Sequence, residues 1–372
     1  MMIDDYILEK YIGKGAFGEV YQTFKEGNSS RLLATKKLKR SKIENTEAIK
    51  YLKNEIIILQ KLEHPNIVKY EAIKKTKNNF YIIMEFCNGG ELSKALKKYQ
   101  EKFGKPFSQE IVQHIMRQII DAFKYIHEKK VVHRDIKLDN ILINFESEKD
   151  AEELNMMKAH VKIIDFGFAC LIDKSGLLYS TLGSPINMDP IILKKLNSKS
   201  NKNRQLGYDQ KADVWSLGTI CYEMLIGRSA FDAKDMEDLV KKIEDGTYVV
   251  PTNLSKEVIS FINGMLQYES SARLTCEELS KHPFLTKDVK DFQPIDMKKV
   301  SEKVDNKGLK INSKMNKSIW AIFNAEVEEK LKDIDGKGEG FSPMLPSTGI
   351  PGNPINQNIQ YQQGEEDKNS FI

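Results

Sequence analysis

From residue 6 to residue 87 the apolar residues fall in short runs bounded by glycine or polar residues. "YILEKYIG" and "RLLATKKL" are of this kind and predict strands. One segment departs from the pattern. In "TEAIKYLKNEIIILQKL", Ile49, Leu52, Ile56 and Leu59 recur at helical spacing. "YIIMEFCNGG" predicts a strand closed by a turn. Beyond Gly90 the period lengthens. "SQEIVQHIMRQIIDAFKYIHEK" opens on Ser108, a favourable N-cap, carries Glu110 in its first turn, and gathers Ile111, Ile115, Met116, Ile119, Phe123 and Ile126 on one face. The runs "NILIN" and "VKIIDF" predict two more strands, and the polar stretch ESEKDAEELNMMKAH between them is long for a hairpin. Further helices are predicted at 209–227, 235–245, 255–267 and 275–281. After residue 286 the pattern thins into a linker, 286–336. Within it Ile319, Phe323, Val327, Leu331 and Ile334 predict an amphipathic helix at 317–334. Residues 337–372 are rich in Gly, Pro, Asn and Gln, a composition expected to stay disordered. No internal repeat is visible.

Composition narrows the classes. With 40% hydrophobic residues in a chain of 372, a substantial core can be buried. The 57 basic and 53 acidic side chains give a formal charge of +4, too even a balance to argue for a nucleic-acid or membrane-surface partner. Cys87, Cys170, Cys221 and Cys276 are far apart and lack the spacing of a zinc or redox motif, so a reducing, cytoplasmic setting is expected. The N-terminus lacks a basic-then-apolar leader pattern, and no stretch reaches the 18 or so uncharged apolar residues of a membrane span.

The chemistry is carried by short motifs. Gly13, Gly15 and Gly18 form G-x-G-x-x-G, with Val20 following. A dinucleotide fold needs a helix to begin there. Here "EVYQTF" predicts a second strand, so the motif is either a flap whose amides cover phosphate oxygens or an ordinary glycine hairpin. Lys36 ends a strand pattern, and Glu55 sits nineteen residues later in the predicted helix. A lysine beside phosphates needs a carboxylate to orient it, although each residue alone reads equally as a solvated charge. "HRDIKLDN" at 133–140 is more specific. Asp135 can accept a hydroxyl proton, Lys137 can neutralise a transferring phosphate, and Asn140 can bind a metal ion; the combination argues against the bland alternative, a polar turn with a helix cap. Asp165 closes the apolar run "VKIIDFGFAC", where an unpaired buried carboxylate would be costly. A carboxylate at a strand end beside Asn140 suits Mg²⁺, which takes oxygen ligands and substrate phosphates.

Taken in order, the Gly-rich loop, strand lysine, helix glutamate, H-R-D-x-K-x-x-N and D-F-G resemble the eukaryotic protein kinases. "KADVWSLG" (211–218) and "ARLT" (272–275) resemble that family's helical-lobe landmarks. The resemblance spans residues 6–285. It implies an α+β, bilobal kinase fold, with a small antiparallel β-sheet lobe holding one helix (6–87) and a larger, mostly helical lobe (88–285). It implies ATP as phosphate donor with Mg²⁺, and protein serine or threonine as acceptor. Lys36 would contact the α and β phosphates and pair with Glu55. Asp165 and Asn140 would hold Mg²⁺, and Asp135 would orient and deprotonate the acceptor. Ile12, the glycines, Val20, Ala34 and Met84 as gatekeeper would enclose the nucleotide, with backbone groups of Glu85 and Cys87 facing adenine. Asp213 would brace the catalytic loop. Lys137, with Ser184 as its contact, marks the serine/threonine type. A catalytically inactive scaffold of the same fold is the alternative, and a metabolic small-molecule kinase ranks behind it because "GSP" and "ADVWSLG" are present. "IIMEFCNGGEL", "DFGFA", "TLGSP" and the insert before "VKIIDFG" resemble the autophagy-initiating, unc-51-like group.

Some residues depart from the family pattern. Asp189-Pro190-Ile191 stands where A-P-E is usual, so Arg273 loses the glutamate that ordinarily pairs with it. Another carboxylate, such as Asp189, or water must take that role. Asn187 replaces a tyrosine and alters the pocket for the residue after the acceptor, and Leu138 replaces a common proline. Thr181, near the middle of the activation segment (168–189), is the expected phosphorylation site, with Arg134 placed by the family pattern to bind the phosphate. Glu91 and Asp139 read either as arginine acceptors or as a ribose contact and a solvated loop charge. The helix 317–334 is expected to dock on a partner or on its own kinase lobe.

Overall fold

The computed structural model describes residues 1–14, 18–43, 48–171, 178, 183–196, 207–294, 304–305 and 308–313. Gly15, Thr181, the expected helix 317–334 and the tail 337–372 lie outside the described residues.

Six strands form one antiparallel sheet: β1 (Met2–Ile3), β2 (Tyr6–Lys14), β3 (Gly18–Lys25), β4 (Asn28–Lys39), β5 (Tyr70–Lys75) and β6 (Asn79–Glu85), in the order β1-β2-β3-β4-β6-β5. Alternation gives the sheet two apolar faces. Leu38 and Ile82 on one face pack with Ile43 and with Leu52 of helix α1 (Ala48–Leu59), which also applies Ile49 and Ile56. Tyr6, Leu33 and Ile83 fill the other face. Thr23 and Thr35 are buried and satisfy each other, their hydroxyls 2.8 Å apart.

The larger lobe is helical. Helix α2 (Leu92–Phe103) follows the short β7 (Gly90–Glu91), and α3 (Gln109–Glu128) begins at Ser108, whose Oγ accepts from the Ile111 N–H. Strands β8 (Val131–Val132), β9 (Ile141–Asn144), β10 (His160–Ile163) and β11 (Cys170–Leu171) form small two- and three-stranded sheets. β9 and β10 pair antiparallel from Ile141↔Ile163 to Asn144↔His160. The polar segment too long for a hairpin therefore lies inside one, and the Ser147-capped helix α4 (Glu148–Glu153) with the buried Met156 takes up its length. Helices α5 (Pro190–Leu196), α6 (Lys211–Ile226), α7 (Met236–Asp245), α8 (Lys256–Met265), α9 (Cys276–Ser280) and α10 (Pro283–Thr286) complete the lobe. α6 is buried along most of its length and carries apolar residues on every side, with Asp213, Ser216 and Thr219 as buried polar exceptions. The fold is the expected bilobal α+β arrangement, a curled antiparallel sheet with one helix above a mostly helical lobe.

The sequence reading and the structure differ after residue 286. Inside the expected linker, β13 (Val304–Asp305) pairs with β14 (Gly308–Asn312), and β14 in turn lies along β12 (Thr247–Val250). Only two residues of β14, Leu309 and Ile311, carry its alternation, too few to register as a strand in the sequence.

Candidate active site

The sheet supplies the roof of the cleft. Gly13 pairs with Val20, and a Cβ on Gly18 would lie 2.0 Å from the Lys37 carbonyl oxygen, so only glycine fits where β3 begins. Val20 lies opposite Lys36, and Ala34, two residues before Lys36, lies opposite Met84. Directly opposed residues of an antiparallel pair share a face, as do residues two apart. Val20, Ala34, Lys36 and Met84 are thus brought onto one face of the sheet, while Ile12 on β2 is largely exposed.

Helix α1 brings its carboxylate to that face. Lys36 Nζ lies 3.3 Å from Glu55 Oε1, and both side chains are largely buried. Burial disfavours the charge on Lys36, but Glu55 and Asp165 outweigh it and hold the ammonium above its usual range. Burial raises the Glu55 carboxyl, the attraction of Lys36 opposes this, and the nearby charge of Asp165 adds to the rise. Lys36 thus makes its ion pair with Glu55 and also feels the charge of Asp165, which follows β10.

Asp165 has left-handed backbone, φ 62°, and its side chain accepts from the Gly167 N–H at 3.3 Å. Phe166 is fully buried with its ring centroid 4.9 Å from that of His133, and Phe168 meets Tyr51 of α1 edge-on at 5.5 Å. The Ile164 N–H donates to the Asn140 carbonyl at 3.0 Å, which ties the residue before Asp165 to Asn140.

The catalytic loop is held from beneath. Asp213 at the start of α6 accepts from the backbone N–H groups of His133 and Arg134, both at 2.9 Å, and its Oδ2 lies 3.0 Å from His127 Nε2. Burial pushes Asp213 up, yet the His127 hydrogen bond and charge bring it below the usual range. Burial opposes an imidazolium at His127, but Cys276 and Asp213 prevail and raise it to about 10. Asp213 therefore stays ionised beneath the loop, as the family pattern implies. Above it, Asp135 Oδ2 accepts from Lys137 Nζ at 2.9 Å and Asn140 Nδ2 at 2.9 Å, and Oδ1 accepts from Ser184 Oγ at 2.6 Å. Lys137 Nζ also reaches Ser184 Oγ at 3.0 Å. Burial raises the Asp135 carboxyl, but the hydrogen bonds from Ser184 and Lys137 hold it below the ordinary range. It is an ionised carboxylate, able to accept a proton.

The amide of Asn140 is committed on one side. Its Nδ2 donates to both the carbonyl and the carboxylate of Asp135, at 2.7 and 2.9 Å. A planar amide so engaged turns its oxygen away from Asp135. That free oxygen and the Asp165 carboxylate form a donor set suited to a hard divalent ion completed by phosphate oxygens.

At the junction of the lobes, Glu85 is occupied by Lys162 Nζ at 2.8 Å and the Lys69 N–H at 2.6 Å, while burial pushes the Cys87 thiol up to about 12. Both Glu85 contacts use Oε1, and the Cys87 side chain is held as a neutral thiol. Arg134 has φ 69° and donates from Nε to the Phe168 carbonyl. Gly183, φ 120°, packs so close that a Cβ would lie 2.3 Å from the Arg134 oxygen. Glu91 pairs with Lys94 at 2.9 Å, and Asp139 accepts from Ser93 at 3.0 Å.

The open question of Arg273 is answered by Asp189. Asp189 Oδ2 pairs with Arg273 Nη1 and its Oδ1 accepts the Ile191 N–H at 2.7 Å. The carbonyls of Gln267, Lys211 and Tyr268 take three more guanidinium donors, and Trp215 lies beneath at 5.1 Å. Asn187 points into the core and donates to Thr219 Oγ1 at 2.8 Å. The contacts that sequence reasoning missed, Glu85–Lys162 and His127–Asp213, join residues that are distant in sequence and carry no local signature.

The sequence profile of the protein kinase domain matches residues 6–285. The chain is similar to a Dictyostelium discoideum protein named serine/threonine-protein kinase atg1, 33% identical over 287 residues that cover 76% of this chain and 39% of the relative. It is similar to the Saccharomyces cerevisiae serine/threonine-protein kinase ATG1, 31% identical over 78% of this chain and 35% of the relative. It also resembles calcium-dependent protein kinase 5 of Plasmodium falciparum, 32% identical over 76% of this chain and 46% of that protein. The chain thus spans less than half the length of these relatives. With the profile covering most of its residues and the cleft assembled as described, the chain belongs to the protein kinase family.

Proposed function

We propose that this chain transfers the γ-phosphate of ATP to serine and threonine hydroxyls of proteins, with residues 6–285 as its catalytic domain. One observation carries the reading: Lys36, Glu55 and Asp165 gather at the roof, while Asp135, Lys137, Asn140 and Ser184 form one hydrogen-bonded cluster on the loop tied to Asp165. In the roles proposed, Lys36 holds the α and β phosphates and Glu55 orients it. Asp165 and Asn140 would hold Mg²⁺, which when bound supplies positive charge beside the phosphate oxygens. Asp135 takes the proton of the acceptor hydroxyl, and Lys137 neutralises charge on the transferring group. Ile12, Gly13, Gly15, Gly18, Val20, Ala34, Met84, Glu85 and Cys87 enclose the nucleotide. Most of the acceleration comes from positioning and charge stabilisation, and positioning alone can lower a barrier by roughly 7–11 kcal/mol.

The names of the relatives support a place in the autophagy-initiating group and a protein substrate. Thr181 is the proposed activating phosphosite, and helix 317–334 a proposed docking element. A cytoplasmic setting is part of the same reading; among the described residues no helix is long and apolar enough to cross a membrane.

The test is transfer of labelled phosphate from ATP, with Mg²⁺, to a generic basic protein. The unaltered chain labels the acceptor, whereas Lys36→Met and Asp165→Ala do not. Equal labelling by all three, or by none, would leave an inactive scaffold as the better reading.

A further inference from the structure

The family profile ends at residue 285, yet residues 308–313 are built into the larger lobe. β14 runs antiparallel to β12 with Asn312 opposite Thr247, Ile311 opposite Tyr248 and Leu309 opposite Val250. Leu309 and Ile311 are each 1% exposed and belong to the main core. The end of the strand is held by backbone: the Ser313 N–H donates to the Gly246 carbonyl at 2.8 Å, and the Tyr268 N–H donates to the Ser313 carbonyl at 3.4 Å. The fit is not sealed. Ser313 Oγ, at the end of the strand, is buried without a hydrogen-bond partner, which weakens the docking. Strand addition with an imperfect seal describes a segment that can be exchanged, unlike a permanent core strand.

The seat also leads to the activation segment. Tyr268 and Gln267 give their carbonyls to Arg273, Arg273 pairs with Asp189, and Asp189 caps the N-terminus of α5. We propose that the edge of β12 with Tyr268 is a strand-addition site, filled by this chain's own residues 308–313, and that filling it steadies α5 and the acceptor-binding segment before it. The ligand it fits is an extended peptide with apolar residues at alternate positions.

The binding arm of the test is independent of kinase activity; the activity arm rests on the proposed function. In the full chain, Leu309→Asp with Ile311→Asp should release the strand. A fluorescent peptide of residues 304–316 should then bind the double variant at least tenfold more tightly than the unaltered chain, whose site is filled. The variant's KM for a protein acceptor should rise at least threefold and recover with added peptide, while its KM for ATP stays unchanged. Peptide binding to neither chain, or equally to both, would overturn the site; binding with an unaltered acceptor KM would overturn the coupling. If the double variant does not fold, a protease site placed in residues 295–303 of the full chain and cut after folding decides the matter. A C-terminal fragment that stays bound until excess peptide displaces it supports the proposal. A fragment that leaves on its own, or that excess peptide cannot displace, overturns it.

Discussion

Asp189 caps helix α5 with one carboxylate oxygen and neutralises the buried Arg273 with the other. The residue occupies the first place of the triplet whose third place, Ile191, has lost the usual glutamate. The carboxylate that pairs with Arg273 thus stands two positions before the place where the family pattern has its glutamate.

Asp189→Ala therefore removes a cap and strands a buried cation. Breaking such a pair costs about 3–5 kcal/mol, so chemical denaturation should show a loss in that range. Asp189→Leu combined with Arg273→Met should cost less than either single change, because no unpaired charge is left behind. A double variant as unstable as the sum of the singles would contradict the pairing.

Lys36→Met should leave the chain folded and lower kcat for phosphate transfer by about 10²–10³, the usual loss when one charged donor to a transition state is removed. The circular dichroism spectrum and acceptor KM should change little, which separates loss of chemistry from loss of structure.

Asp135 is held ionised against burial by Ser184 and Lys137. Its folded pKa lies below 3.8, so the carboxylate form is lost only as pH falls through that depressed value. Ser184→Ala removes one donor and should move the acid limb of kcat/KM to higher pH. Asp135→Asn should reduce kcat by about 10²–10⁴, the range of general base catalysis, with no acid limb from this group remaining.

His127 makes an opposite contribution to stability. Its pKa rises on folding from 6.5 to about 10, so the stabilisation is fully present below 6.5 and is lost as pH rises through about 10. Asp213, depressed on folding, contributes above 3.8 and loses that contribution as pH falls through its lowered value. His127→Gln should be less stable than the unaltered chain at neutral pH, and denaturation curves should show the gap narrowing toward pH of about 10.

Much of the site was legible because each part is a short local pattern. H-R-D-x-K-x-x-N places Asp135, Lys137 and Asn140 within six residues, and the strand and helix periods set Lys36 and Glu55 on elements that must pack together. What stayed hidden depends on tertiary pairing. Which carboxylate pairs with Arg273, or whether water does, is decided only by the folded chain. Glu85 and Lys162 meet only because β6 and β10 approach at the junction of the lobes. β14 carries two apolar residues, and its partner edge, β12, lies far back in the chain. The polar insert at 146–160 looked too long for a hairpin because its own small helix could not be weighed against the pairing of the flanking strands.

That hairpin has a mechanical consequence. β9 begins one residue after Asn140 and β10 ends two residues before Asp165, and their ladder zips shut before the insert starts. Four cross-strand pairs lie between the exposed helix α4 and the residues Asn140 and Asp165, while Phe145, Met156 and Ala159 on either side of that helix are anchored in the main core. A reporter or affinity module spliced into α4 itself, between Glu148 and Glu153, would therefore hang from an anchored base and leave the chemistry beneath it untouched.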